Sequence, residues 1–130
     1  MATVKDVEKI FAGLPEVTTG ERHGMPTWFL GGKAIAWERP FSKADIKRFG
    51  DETPPSGPIV AVAVGDLAEK EAVLAGSSAA VFTIPHFNGY AAVLIQLSAV
   101  GRKELRELII DSWLAKAPTE LAETFLAEGR

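Results

Sequence analysis

The chain has 130 residues, 47% of them hydrophobic and 24% charged, with a formal net charge of -3 and a sequence pI near 5.4. That length suits one domain, 1–130, with a core large enough to fold without staples. The absence of cysteine excludes disulfides, thiolate metal sites and cysteine nucleophiles, and fits a cytoplasmic location. The negative balance excludes a global positive field, so a nucleic-acid partner would need a local basic surface.

Met1 to Ile10 alternates charged and apolar residues without a signal-peptide core, and no apolar run approaches the roughly 20 residues that span a bilayer. Val4, Val7, Ile10, Phe11 and Leu14 recur at helical spacing, and Gly13 and Pro15 end that helix. Thr27-Trp28-Phe29-Leu30 and Lys33-Ala34-Ile35-Ala36-Trp37 flank Gly31-Gly32, which predicts a tight hairpin. A two-residue turn would put Trp28, Leu30, Ile35 and Trp37 on one buried face and Phe29 on the other. Trp37 and Trp113 are both expected in the core.

Ser42 is placed to cap a short helix ending near Phe49, with Asp45 in its first turn. Residues 51–58 form a charged, then Pro- and Gly-rich loop. Ile59 to Val64 is a continuous apolar strand with both faces covered. Asp66-Leu67-Ala68-Glu69 approximates a capping box and opens a helix to about Ala75. In residues 80–97, Asn88-Gly89 between apolar runs predicts a type I′ hairpin that pairs Phe87 with Tyr90, His86 with Ala91 and Ile84 with Val93. His86 would then share a face with Phe82, Ile84, Val93 and Ile95, while Phe87 and Tyr90 form an exposed rim. Pro85 marks that strand as an edge or a bulge. Leu105, Leu108, Ile109 and Trp113 make a helical stripe, and Pro118 opens a last helix carrying Leu121, Phe125 and Leu126. The pattern is α+β: a two-layer sandwich, mainly antiparallel sheet built from hairpins, with helices packed on one face.

Residues 20–37 (GERHGMPTWFLGGKAIAW), Gly65-Asp66-Leu67, the 84–97 segment, Asp111-Ser112-Trp113 and Ala117-Pro118 together resemble the MmcQ/YjbR family, in the right order and over nearly the whole chain. The resemblance implies a compact α+β fold similar to frataxin-like and secretion-chaperone-like domains. It also implies a nominal DNA-binding role, by likeness to a double-wing transcription-factor domain, and carries over no catalytic residue.

Two surfaces carry candidate chemistry. Lys33, Arg39, Lys43, Lys47 and Arg48 fall within residues 33–48 against only Glu38 and Asp45, and with Arg22 could position nucleic-acid phosphates. The plainer alternative is a solvated charged face. His23, His86, Phe87, Asn88 and Tyr90, with Glu21, could instead form a cleft for a small molecule or peptide. The plainer alternative there is two corner histidines satisfying backbone groups. An exposed edge at the Pro85 strand is a third candidate partner surface. No HxH, HxxxH or HExxH spacing, Gly-x-Ser-x-Gly elbow, P-loop or dinucleotide fingerprint is present. The expectation is a non-enzymatic binding domain, nominally DNA-binding through the local basic surface, with a small-molecule or peptide cleft near His23, His86, Phe87 and Tyr90 as the alternative, and with no metal and no cofactor.

Overall fold

The computed structural model describes residues 1–129. In chain order the elements are α1 (Val4–Ala12), β1 (Val17–Arg22), β2 (Met25–Leu30), β3 (Lys33–Glu38), α2 (Lys43–Arg48), β4 (Ile59–Ala63), α3 (Leu67–Gly76), β5 (Val81–Phe82), β6 (Ala92–Gln96), α4 (Arg102–Lys116) and α5 (Thr119–Ala127). A 3-10 turn, Pro85–Phe87, lies between β5 and β6. The six strands form one antiparallel sheet in the order β1-β2-β3-β4-β6-β5. This is the α+β architecture expected from the sequence.

Helix starts follow local chemistry. Thr3 and Asp6 form a capping box at α1, and Ser42 and Asp45 form one at α2. At α3 the Asp66 side chain accepts from the Glu69 N–H, but the Glu69 carboxylate accepts from Gly65 N at 2.8 Å, one residue outside the usual box.

β4 is buried on both faces, as its apolar run predicts. Val60 and Val62 join the main core with Val93 and Ile95 of β6, under Val7 and Phe11 of α1 and Leu105, Ile109 and Trp113 of α4. Ile59 and Ala61 face the other way, into a second core with Ile84, Phe87, Ala92 and Leu94, flanked by Trp37, Phe41, Phe49 and Phe82. The 3-10 turn and the Phe41 and Phe49 flanks of α2 cover that second face.

Two registers differ from the sequence expectation. Gly31 (φ 61°) and Gly32 (φ 80°) make the expected tight turn between β2 and β3. A bulge then follows: Phe29 pairs with Ala34, but Trp28 pairs with Ala36, leaving Ile35 as the extra residue. Ile35 and Ala36 both enter the main core, so the next residue, Trp37, turns to the opposite face. Trp37 is therefore half-buried at the second core rather than inside the main one, whereas Trp113 is fully buried as expected.

The type I′ hairpin at Asn88-Gly89 does not form. Val81 pairs with Ile95 and Phe82 with Leu94, and pairing stops there. Pro85 has no amide to continue the ladder and starts the 3-10 turn instead. Asn88 (φ −60°, ψ 130°) and Gly89 (φ 75°) then make a type II turn closed by Tyr90 N donating to Phe87 O at 3.0 Å. Phe82 and Ile84 consequently belong to the second core, away from Val93 and Ile95, and Phe87 is buried, not a rim residue.

Trp113 ties three elements together. Its indole N–H donates to Pro15 O at 3.0 Å, and its ring lies 4.9 Å from that of Phe125 on α5. Trp113→Phe removes that hydrogen bond and leaves unfilled volume. It should cost about 1–3 kcal/mol in urea denaturation without changing the fold.

Candidate functional site

β1 was not expected from the sequence, and it sets the site. It pairs with β2 from Val17↔Leu30 to Arg22↔Met25, which leaves His23-Gly24 as a two-residue turn. Both turn residues have positive φ (54° and 76°), the requirement of a type I′ turn. Histidine tolerates this region better than most residues, and glycine adopts it freely. The β-branched Val17-Thr18-Thr19 run and the His-Gly dipeptide were the available sequence signals.

This turn carries Arg22 and His23 to the end of the sheet where β3 runs into Glu38, Arg39 and Pro40. His86, Phe87 and Tyr90 approach from the other side. Together with Met25 and Trp37 they enclose a cleft of about 660 Å³. The two histidines, 63 positions apart in sequence, thus line one cavity. Glu21 does not join them. Strand alternation turns it to a separate surface hollow beside Glu8 and Thr19, and Asn88 is not among the cleft walls.

The walls are aromatic and ordered by contact. Tyr90 is 52% exposed, with its ring 6.2 Å from Trp37 and 5.7 Å, edge-on, from Phe87. His86 lies 6.1 Å from Phe87, and the Arg39 guanidinium sits over the Phe87 ring at 5.7 Å.

Two buried charges hold this arrangement. Asp45 accepts from Ser42 N at 2.9 Å and pairs with Arg39 at 3.0 Å and Arg48 at 3.8 Å. Burial alone would raise its pKa. The hydrogen bonds from the Ser42 backbone and hydroxyl and from Arg39 outweigh that and hold the carboxyl below its ordinary range. On the opposite wall, the buried Lys70 of α3 donates to Phe87 O at 2.6 Å and Tyr90 O at 2.8 Å, clamping the type II turn. Burial lowers its pKa.

Of the six predicted basic residues, Arg22 and Arg39 meet at the cleft, and the others do not join them. Lys33 begins β3 and Arg39 follows its end, so about 20 Å of strand separates them. Arg39 and Arg48 share Asp45, while Lys43 and Lys47 stay exposed on α2. Arg22 stands apart from that helix, on the cleft. Among the described residues no three His, Asp or Glu side chains gather as a metal site. No helix among them is long and apolar enough to cross a membrane.

Sequence reasoning assigned Trp37 to the core and Arg22 and Arg39 to a phosphate surface, and it missed Glu38, Met25 and Pro40 as cleft residues and Lys70 as their support. Trp37 reaches the cleft only through the bulge. Lys70, among charged neighbours, reads locally as a solvated side chain.

Asp45→Asn should destabilise the protein by about 1–3 kcal/mol at pH 7, by uncoupling Arg39 and the α2 cap. Because the folded pKa lies below the unfolded 3.8, this contribution is full above that value and fades as pH falls below it. The gap between parent and variant in chemical denaturation should therefore shrink below about pH 4. Lys70→Met should leave the global fold intact but speed amide exchange at Tyr90 about tenfold, since two buried carbonyls lose their donor.

Comparison with known proteins agrees with this architecture. The YjbR family model matches residues 12–115. Uncharacterised proteins of Mycobacterium tuberculosis and Mycobacterium bovis are 45% identical over 130 residues, covering 98% of each chain. The crystal structure of Deinococcus radiodurans protein DR2400, a DUF419 domain, superposes with a TM-score of 0.62 at 19% identity, covering 98% of this chain and 89% of that one. At that identity the likeness speaks for the fold alone. By the match of the family model over residues 12–115, the chain belongs to the YjbR family.

Proposed function

We propose that this protein is a non-enzymatic binding domain whose ligand site is the cleft between the His23-Gly24 turn and the Phe87–Tyr90 turn. One observation carries the reading: residues from three separate parts of the chain converge on a single concavity of about 660 Å³. That volume falls in the range of roughly 300–1,000 Å³ typical of small-molecule sites, which combine apolar walls with a few polar groups. Met25, Trp37, Phe87 and Tyr90 supply the apolar walls here. Arg22, His23, Arg39 and His86 supply the polar groups.

The nucleic-acid reading has less support. Its six candidate cations do not share one surface, and two of them are engaged by Asp45. Exposed Lys43 and Lys47 remain available to phosphates, and a labelled DNA duplex titrated from low to physiological salt tests them directly.

A fragment library of mixed charge and shape, followed by amide chemical shifts, tests the cleft. Binding fragments should perturb Arg22, His23, Trp37, His86 and Tyr90. Tyr90→Ala should weaken the best fragment at least tenfold, while combined Lys33→Glu, Lys43→Glu and Lys47→Glu should leave it unchanged. Shifts confined to α2, or scattered over the surface, would sink the reading.

A further inference from the structure

Building on the cleft as the ligand site, we infer that its ligand is a planar organic anion: a flat aromatic or heteroaromatic ring bearing a carboxylate or phosphate. Arg22 and Arg39 line the cleft against one carboxylate, Glu38. Arg22 has no carboxylate partner within salt-bridge distance among the described residues. Arg39 is paired with Asp45, which is not among the cleft walls, so the walls themselves carry two guanidiniums, Arg22 and Arg39, against the one carboxylate of Glu38.

The Arg39 side chain is only 18% exposed and is held by Asp45, by the Pro40 carbonyl and by the Phe87 ring. Both polar contacts use Nη1, so Nε and Nη2 have no protein partner among the described residues. A guanidinium fixed in place with donors to spare suits a carboxylate or phosphate, which it can grip through two parallel bonds. Little side-chain freedom is lost on binding, and that favours affinity.

Tyr90 is half-exposed although it stands among aromatic rings, and Trp37 lies 6.2 Å from it on the same cleft. With ring planes inclined at 49°, the two cannot sandwich a ring between them but can receive one against their open faces. Rings of this kind next to Glu38 would also suit an organic cation. The pair of guanidiniums decides against it, since a cation would be desolvated beside two like charges.

The test is a matched set of probes followed by Trp fluorescence and amide shifts. Trp28 and Trp113 are buried, so Trp37 is the indole positioned to report. 2-Naphthoate supplies ring and carboxylate, and AMP supplies ring and phosphate. 2-Naphthamide removes the charge, 2-naphthylmethylammonium reverses it, and cyclohexanecarboxylate removes the planarity. At least one of the two planar anions should shift Trp37, His86 and Tyr90, and which one binds separates the carboxylate from the phosphate source. The amide, the ammonium and the non-planar acid should each bind at least tenfold more weakly than that anion. Arg22→Gln, at an exposed strand end, should bring the anion down to the level of the neutral amide.

Equal or tighter binding of the ammonium, the amide or the cyclohexane acid overturns the inference while leaving the cleft as a ligand site. Failure of both planar anions to shift the cleft residues also overturns it. If the mixed fragment library fails there as well, the cleft reading falls with it.

Discussion

β4 is apolar at successive positions, so its side chains need cover on both faces of the sheet, and most of the architecture follows from that constraint. One face is served by α1 and α4, long enough to bury Val60, Val62, Val93 and Ile95 completely. The other has no long helix. It is covered piecemeal by the Pro85–Phe87 turn and by Phe41 and Phe49 on either side of α2. Ile59, Ala61 and Leu94 are sealed by this arrangement. At the end of β3, where Trp37 and Phe87 meet the edge of the second core, a concavity opens.

The two buried ionic groups make sense in that setting. A cover built from short segments lacks the repeating hydrogen bonds of a helix, so its backbone needs other partners. Lys70 supplies them to Phe87 and Tyr90 from behind the turn, and Asp45 anchors Arg39 and the start of α2 on the other side. Both charges have several hydrogen-bonding partners, which is the condition under which burying them is tolerable. Their common effect is to fix two walls that no secondary structure joins directly. The same logic explains why the basic residues of the 33–48 segment do not act as one patch. Part of that charge is directed inward to Asp45, and the rest is divided between a helix surface and a distant hairpin tip.

Much of the fold could be read from the sequence because its signals are local. The spacing of Val7 and Phe11, the Ser42 cap, the Gly31-Gly32 turn, the apolar run at 59–63 and the stripe through Leu105, Ile109 and Trp113 each reflect short-range sterics or one-sided burial. These determine the elements and, with them, the α+β class and the main core. Where the reading failed, a non-local or position-specific effect took over. Pro85 breaks the ladder that Asn88-Gly89 would otherwise close, because a missing amide outweighs a favourable turn dipeptide.

The cleft depended on tertiary structure. His23, His86 and Tyr90 were recognisable as residues with chemistry, but their meeting required the β1–β2 hairpin and the Phe87–Tyr90 turn to reach the same end of the sheet. A one-residue bulge at Ile35 placed Trp37 there, and nothing in the period-two pattern of β3 announces it, since one inserted residue inverts the face of all that follows. Lys70 and Asp45 likewise acquired their roles only when packing excluded water around them. Sequence by itself determined most of the helices and strands, β1 and the Pro85–Phe87 turn excepted, because backbone sterics and hydrophobic periodicity act within a few residues. Tertiary structure decided which side chains share a wall, because that depends on register and burial set by partners tens of residues away.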